Sequence, residues 1–314
     1  MASLLNMSSR ALTKFVKIPN YFAFVAIEDG TFTLSRYAWE YSLDGRTWTT
    51  LEVNTPSPLI NAGNTIYWRA TLGGGAYGAG RVTSTAKYKV KGNIMSLYYG
   101  DNFEGVDYMT NKGSIGREMF SNEQNLISAS ELELPALALN GACYYQMFYN
   151  CKNLTDTPAL PATTLNNQCY TRMFMYCSSL LHPPVLPATT LQTSCYSGMF
   201  SECTSLMEAP SLPATTMVNS CYHQMFYKCN GLTTAPVLPA TTLVSNCYKE
   251  MFYGCTSLNY IKAMFTTEPS TSYTQGWVSQ VASSGTFVKN SAATWNVTGS
   301  YGVPNNWTVQ TASE

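Results

Sequence analysis

The segment Cys247-Tyr-Lys-Glu-Met-Phe-Tyr-Gly-Cys-Thr-Ser-Leu258 decides the fold, because close copies of it recur along the chain. The copies place all ten cysteines in two series with a step of 26 residues: Cys143, Cys169, Cys195, Cys221 and Cys247, and Cys151, Cys177, Cys203, Cys229 and Cys255. A second motif, Pro-Ala-Thr-Thr, keeps the same step at 161–164, 187–190, 213–216 and 239–242. A fixed period of this length indicates stacked repeats, each of which needs its neighbours to bury its apolar side chains.

One repeat can be interpreted from its apolar spacing. Leu165, Cys169, Met173 and Cys177 follow one another at intervals of four residues, just after a pair of threonines. This pattern predicts an apolar stripe on a short helix, which threonine is suited to cap. The two prolines at 183–184 exclude a helix in the next segment, which we expect to be extended. We therefore expect an α/β solenoid in which short helices alternate with extended segments.

Both ends of the repeat array depart from the pattern. Residues 115–137 carry a degraded repeat in which Ile115 and Glu123 stand at the cysteine positions. After Cys255 the pattern decays, and we expect a short helix at 277–281 and strands at 285–289 and 306–309. These segments are expected to seal the two ends of the stack.

The N-terminal part has a different pattern. Alternating segments predict strands at 32–34, 38–43, 47–51, 65–70 and 87–90, with Asp44-Gly45 as a hairpin turn. Several short strands between glycines and prolines are typical of a small β-sandwich. The predicted organisation is an arm at 1–19, a sandwich at 20–95, a linker at 96–114, a solenoid at 115–265 and a C-terminal cap at 266–314.

Composition excludes some classes of partner. Lys+Arg and Asp+Glu number 18 each, so the net charge is zero, and charged residues make up only 11% of the chain. Binding to nucleic acid needs a basic excess, so we expect no nucleic-acid partner. No run approaches 18 apolar residues, so we expect no membrane insertion. Arg10, Lys14 and Lys17 interrupt the N-terminal apolar residues, and we expect no signal peptide there.

The cysteines invite three interpretations. Because they keep the packing period together with Met and Phe, we expect buried free thiols that pack as small hydrophobes. Disulfides between neighbours of one series are the alternative, since stacked repeats about 5 Å apart bring them close. A metal site needs clustered ligands, and two cysteines eight residues apart without a histidine pair do not supply them.

Signals for catalysis or a cofactor are weak. His223 lies two residues after Cys221, a spacing that points the two side chains to different faces of a helix. The glycines of 73–78 match G-x-G-x-x-G, but a loop and a strand follow rather than a helix, which favours a flexible loop. Residues 143–258 contain only eight charged side chains. We therefore expect no enzyme activity, no metal and no cofactor.

The positions that vary from repeat to repeat carry the functional expectation. They lie between the repeated Tyr and Met and between the repeated Phe and the second Cys, and they stack into rows on the outer face. Their Tyr, Ser, Asn and Gly content resembles that of a binding surface, although an ordinary solvated face would also vary freely. The candidate ligand-binding residues are Tyr145, Tyr149, Arg172, Tyr176, His223, Tyr227, Lys228, Lys249 and Tyr253.

The Cys-Tyr-x-x-Met-Phe-x-x-Cys-Thr-Ser-Leu and Leu-Pro-Ala-Thr-Thr-Leu motifs resemble BspA-like leucine-rich repeat proteins. Such proteins are encoded by gut Bacteroides-type bacteria and their phages, and the likeness covers about residues 110–310. Tyr41-Ser-Leu-Asp-Gly-Arg-Thr-Trp48 looks like part of the immunoglobulin-like module that often precedes these repeats. The resemblance implies a leucine-rich-repeat solenoid after an Ig-like sandwich.

The resemblance also implies display on a surface. We expect a virion protein of a phage, either a head fibre or a tail-associated receptor-binding protein, that attaches to a host-surface protein or glycan through the solenoid. The arm and sandwich are expected to bind virion structural proteins, and the chain to form a homo-oligomer. The alternative is a bacterial cell-surface or secreted adhesin, and an internal scaffolding role is a third possibility.

Overall fold

The computed structural model describes residues 17–72, 78–109 and 113–312 of the 314-residue chain. Within these residues the fold is rich in sheet and has few helices, and its sheets close no barrel. Most of the predicted arm at 1–19 and residues 73–77 of the glycine-rich loop lie outside the described residues. No helix among the described residues is long and apolar enough to cross a bilayer.

Two sheets form the N-terminal part. The strands are β1 (Phe22–Ala26), β2 (Phe32–Leu34), β3 (Trp39–Ser42), β4 (Thr49–Leu51), β5 (Thr65–Arg69), β6 (Val82–Ser84), β7 (Tyr88–Asn93) and β8 (Leu126–Glu133). Six of them form one sheet in the order β4-β3-β5-β1-β7-β8, while β2 pairs with β6. The five predicted strands are confirmed, and β1 is a strand that the sequence interpretation missed.

The predicted hairpin at Asp44-Gly45 is confirmed, with a connection longer than two residues. β3 pairs antiparallel with β4, and residues 43–48 connect them. The Asp44 carboxylate accepts hydrogen bonds from the backbone N–H groups of Arg46 and Thr47 at 2.8 and 2.7 Å. Gly45 has a φ of 69°, the left-handed conformation that glycine adopts without strain.

The N-terminal sheet is joined directly to the repeats. β8 lies in the degraded first repeat, yet it pairs in parallel with β7, with Tyr88 opposite Leu126 and Gly92 opposite Leu132. Between β7 and β8 the chain forms a helix, α1 (Ser96–Tyr99), and a 3-10 helix (Gly100–Asn102). One hydrophobic core runs from the N-terminal strands through all of the repeats.

Residues 115–265, all of which the structure describes, contain no α-helix, so the prediction of a short helix in each repeat is wrong. Residues 141–151, and the equivalent residues 167–177, 193–203, 219–229 and 245–255, form a run of β-turns that we call the turn segment. Every fourth residue in it has a positive φ, as in Ala142 (53°), Gln146 (53°) and Asn150 (58°). Each such residue costs about 1 kcal/mol relative to a right-handed conformation.

Backbone hydrogen bonds explain why turns replace the helix. Alternate N–H groups close turns within the repeat, as from Met147 to the carbonyl of Tyr144 at 3.2 Å. The remaining N–H groups point to the next repeat, as from Phe148 to the carbonyl of Met173 at 2.9 Å. Five bonds of the second kind join residues 142–150 to residues 167–175. A helix would satisfy these N–H groups internally and leave none for the neighbouring repeat.

The other half of each repeat is extended, as predicted. We call residues 155–164, and the equivalent residues 181–190, 207–216 and 233–242, the extended segment. An isolated parallel bridge joins Thr164 with Thr190 of the neighbouring extended segment, and another joins Thr234 of the last extended segment with Tyr260, which follows one period later. Leu160, Ala162 and their equivalents bury their side chains in the same core as the turn segments.

Identical side chains stack along the repeats because the period places them one above another. Phe120, Phe148, Phe174, Phe200, Phe226 and Phe252 form a column of rings with centroids 5.4–5.8 Å apart. Tyr144, Tyr170, Tyr196, Tyr222 and Tyr248 form a second column with centroids 5.7–6.1 Å apart. At its first ring, the phenylalanine column packs against Phe22 and Phe24 of β1. The columns therefore connect the N-terminal sheet to the repeats.

All ten cysteines are free thiols and fully buried, as the core interpretation predicted. Each cysteine of the second series donates a hydrogen bond from Sγ to the carbonyl of the phenylalanine in the preceding repeat. The distance is 3.0 Å for Cys177 to Phe148 and for Cys203 to Phe174. Burial raises the pKa of Cys177 to about 12, so the group remains a thiol and keeps its proton for this bond.

Tryptophans close the C-terminal end. Here β9 (Tyr260–Ala263), β10 (Thr286–Lys289) and β11 (Thr308–Thr311) form a parallel sheet in the order β11-β10-β9, which confirms the two predicted strands with small shifts at their ends. The predicted helix at 277–281 is wrong: this segment continues the turn pattern, and a short helix, α2 (Thr271–Thr274), precedes it. Trp277 lies against Phe252 and donates a hydrogen bond from Nε1 to the carbonyl of Gly302 at 2.9 Å.

Candidate functional site

The turn segments present four outward positions per repeat, and these positions form a surface that we call the turn face. It consists of Tyr145, Gln146, Tyr149 and Asn150 and of the residues at 26-residue intervals after them. Between these positions the repeated Cys, Tyr, Met and Phe side chains are at most 1% exposed. All nine predicted ligand-binding residues lie on the turn face; Arg172 is exposed and the other eight are half-buried.

An aromatic cluster lies at the start of the turn face. The Tyr149 and Tyr176 rings meet edge to face with centroids 5.4 Å apart. The guanidinium of Arg117, in the degraded repeat, lies 4.3 Å from the centroid of the Tyr145 ring. These rings are held by neighbours in adjacent repeats, so they offer a firm surface with little rotamer freedom left to lose on binding.

The middle repeat has small side chains on the turn face. Gly198 and Ser201 are buried, and the Arg172 side chain lies above Gly198, since a Cβ at Gly198 would be 3.1 Å from Arg172 Cγ. Tyr149 and Tyr176 lie on one side of this repeat and Tyr227 and Tyr253 on the other. The turn face therefore carries two tyrosine pairs separated by a repeat with small side chains.

A second aromatic cluster lies towards the C-terminal end. The Tyr227 and Tyr253 rings stack with centroids 5.0 Å apart and 7° between their planes. Lys228 Nζ is 5.2 Å from the Tyr227 ring centroid and 3.2 Å from the carboxylate of Glu202, and this carboxylate raises the pKa of Lys228. Gln280 donates a hydrogen bond to the Tyr253 hydroxyl at 2.9 Å.

The two remaining predicted residues occupy one row. His223 is half-buried, and burial lowers the pKa of its imidazole, so the ring is neutral near pH 7. Its Nδ1 lies 3.5 Å from Ser197 Oγ, and Lys249 follows in the next repeat. Gln224, beside His223, donates a hydrogen bond to Glu250 at 2.6 Å. The row therefore combines a neutral imidazole with one ammonium group.

The geometry gives no support to catalysis by Cys221 and His223. The Cys221 thiol is fully buried, and burial raises its pKa well above the ordinary value. A cysteine nucleophile needs the opposite shift and access to solvent. Among the described residues no group of three or more His, Cys, Asp or Glu side chains is placed to hold a metal ion.

The extended segments carry a surface that the sequence interpretation missed. Leu181 (42% exposed), Val185 (77%), Met207 (67%) and Val237 (50%) place apolar side chains in solvent, and we call this patch the extended face. His182 Nδ1 lies 2.8 Å from the Glu208 carboxylate beside it. The signal was present in the sequence, since Val185 and Val237 occupy equivalent positions, each between two buried residues along an extended segment.

Comparison with known proteins identifies the repeats. The family model described as BspA type leucine rich repeat region matches residues 94–206 and 169–274, in six copies. No curated protein and no solved structure matches the chain. The two matched ranges together cover more than half of the sequence, and repeats of this type indicate a surface-adhesin or protein-binding role.

Proposed function

The chain belongs to the BspA-type leucine-rich repeat family, and from this premise we propose that it is a non-enzymatic adhesive protein whose turn face binds a protein or glycan on a host surface. One observation carries the proposal. The repeats keep the same buried side chains, whereas the outward positions change and gather four tyrosines into two packed pairs. Packing within the stack accounts for the repeated residues and leaves the varied ones available for recognition.

The chemistry of the turn face suits a binding surface. Paired tyrosine rings supply apolar area with hydroxyl groups at the edge, and this combination fits both sugar rings and peptide segments. Lys228 adds a cation beside the Tyr227 ring, and Arg172 and Lys249 add two more cations to the turn face. Glu202 and Glu250 balance part of this charge, so the face is polar but not strongly basic.

A cell-binding assay tests the proposal. The full chain, fluorescently labelled, is incubated with intact Bacteroides-type cells, and binding is measured by flow cytometry. The double variant Tyr227→Ser/Tyr253→Ser is expected to lose at least about tenfold in affinity, because aromatic anchors at binding surfaces contribute about 2 kcal/mol or more. Tyr108→Ser is the control, since Tyr108 is 51% exposed and lies before the turn segments.

The extended face is the competing candidate for the binding surface. Exposed apolar patches often mark interaction sites, and Leu181 and Met207 occupy equivalent positions in neighbouring repeats of this patch. If Leu181→Ser/Met207→Ser abolishes cell binding while the tyrosine variant binds as the unchanged chain does, the turn face is not the binding surface. Loss of binding only in the tyrosine variant supports the proposal.

The architecture of the two parts of the chain and its oligomeric state are part of the same proposal. We propose that the repeats form a solenoid after an immunoglobulin-like sandwich, supported by the inter-repeat hydrogen bonds and by the antiparallel order β4-β3-β5-β1-β7. A particle of this kind is elongated, so small-angle X-ray scattering should give a maximum dimension well above that of a compact protein of equal mass. We also propose a homo-oligomer, which light scattering after size-exclusion chromatography tests.

Our proposal for the surface that displays the chain rests on the family resemblance. We propose a phage virion, with the N-terminal strands bound to virion structural proteins; a bacterial surface or secreted adhesin is the alternative. Mass spectrometry of purified phage particles and of outer-membrane and medium fractions from the producing cells separates the two. Finding the chain only in cell fractions excludes the virion.

A further inference from the structure

The outer edge of β11 (Thr308–Thr311) is the open side of the C-terminal sheet. In the order β11-β10-β9 this strand comes last, and within residues 17–72, 78–109 and 113–312 no strand pairs with its outer side. All four of its side chains are exposed. Proteins normally protect an unpaired strand edge with a lysine, a proline or a bulge. β11 contains neither lysine nor proline, so its edge remains able to pair with another strand.

The hydrogen bonds of β11 identify the backbone groups at this edge. The N–H groups of Thr308 and Ala312 bond to carbonyl groups within 285–289 at 2.9 and 2.8 Å, so the even-numbered residues direct their backbone groups to β10. Successive residues of a strand direct these groups to opposite sides. The N–H and C=O groups of Val309 and Thr311 therefore point to the open side.

The apolar core is also open at this edge. Val309 lies in register with Phe287 of β10, which lies in register with Ile261 of β9. Phe287 and Ile261 are fully buried, whereas Val309 is 47% exposed. The turn segments are covered at the same end of the stack, since Trp277 is fully buried and bonds to the carbonyl of Gly302. One more strand beside β11 would cover Val309 as β11 and β9 cover Phe287.

We propose that β11 pairs antiparallel with β11 of a second copy of this chain, about a two-fold axis at Gln310. This register places Val309 opposite Thr311 of the second copy, and the two residues exchange both of their backbone hydrogen bonds, as in any hydrogen-bonded antiparallel pair. The axis repeats the exchange, so the open groups of both residues are paired in both copies. A contact of this symmetric kind closes after two copies.

The edge of β11 is its own complement. Val309 and Thr311 lie symmetrically about Gln310, so a second copy presents the same open groups in the matching order. Residues 290–313 contain no Asp, Glu, Lys or Arg, and no like charges therefore face each other across the axis. The two Gln310 residues form the central pair without backbone bonds to each other, in which Cα atoms lie about 4.5 Å apart.

The inference rests on the homo-oligomer of the proposed function, for which it names the interface. None of the nine candidate turn-face residues lies in β11. Adhesion through the turn face is measured by the cell-binding assay, so it is decided independently of this pairing.

Sedimentation velocity of the full chain tests the pairing. The unchanged chain is expected to shift from monomer to dimer as its concentration rises. Gln310→Lys and Gln310→Glu each place two like charges beside the axis and should weaken the dimer about fivefold or more, since like charges directly opposite destabilise strand pairing. An equimolar mixture of the two variants should recover the dimer as a mixed pair. Gln192→Lys, at an exposed glutamine outside the sheet, is the matched control and should dimerise normally.

The mixture makes the test specific to this register. Both variants change an exposed side chain, and circular dichroism checks that each is folded; if one is not, the other still measures the weakening. A chain that stays monomeric at every concentration overturns the pairing and the proposed homo-oligomer together. An oligomer that the variants do not weaken, or that the mixture does not restore, overturns the pairing and leaves the homo-oligomer standing.

Discussion

Raising the pH should unfold this protein, because its ten buried thiols must remain protonated in the folded state. All ten are fully buried, and burial raises the pKa of Cys169, Cys195 and Cys255 to about 12 and that of Cys247 to about 11. In the unfolded chain each thiol has its ordinary pKa of about 8.5. The folded value is thus the higher one for every thiol. The resulting stability is complete well below the unfolded pKa of about 8.5 and is lost as the pH rises through that value towards the folded ones.

The magnitude follows from the number of thiols. Between about pH 8 and about pH 9, ionisation of one cysteine in the unfolded chain lowers the free energy of unfolding by about 0.7 kcal/mol. Ten cysteines together give about 7 kcal/mol, which is comparable to the whole stability of an ordinary domain. Tyrosines contribute little in this interval because their ordinary pKa is about 10.

Urea unfolding at a series of pH values measures this dependence. The experiment includes a phosphine reductant and no oxygen, so that ionised thiols do not form disulfides. We expect the free energy of unfolding to fall steeply above about pH 8. The double variant Cys169→Ala/Cys195→Ala removes two of the ten thiols and should reduce the slope by about a fifth, whatever its stability at neutral pH. A slope near zero, or one that the double variant leaves unchanged, refutes the reasoning.

Three further predictions test the packing. Iodoacetamide at about pH 8 should leave the native chain unmodified and add ten adducts after unfolding in urea, which mass spectrometry counts. Phe200→Ala should lower the free energy of unfolding by about 3–5 kcal/mol, because Phe200 is fully buried between two stacked rings; an effect below about 1 kcal/mol in urea unfolding contradicts this role. Burial raises the pKa of Glu123, so its carboxyl stabilises the fold below the ordinary glutamate value and loses this effect as the pH rises. In thermal melting, the midpoint temperature of Glu123→Gln should therefore rise relative to that of the unchanged chain between about pH 4 and pH 7.

The period, the buried residues and the position of the varied surface could all be predicted from the sequence, because each depends only on which side chains recur every 26 residues. The conformation of the turn segment could not be predicted by assuming the usual helical stripe. Leu165, Cys169, Met173 and Cys177 keep intervals of four residues, and in an α-helix such a stripe drifts by about 40° at each step. A strict step of four was therefore a signal for turns of four residues.

The junction between the two parts of the chain was hidden for a different reason. The sequence pattern assigns β8 to the degraded repeat, and nothing in the sequence of 126–133 indicates that this strand pairs in parallel with β7. Parallel pairing between segments that are not adjacent in sequence depends on tertiary packing, here on Phe120 meeting Phe22 and Phe24.

Stacking also limits how the turn face can vary. Arg172 and Lys228 have long side chains at positions of positive φ, and each lies above a glycine of the next repeat, Gly198 and Gly254. A Cβ at Gly254 would be 2.8 Å from Lys228 Cγ, so a larger residue there forces the lysine to move. Lys228 holds its contacts with Glu202 and the Tyr227 ring from this position. The residue at one outward position therefore depends on its neighbour 26 residues away. A change in what the turn face recognises then requires matched substitutions in two neighbouring repeats.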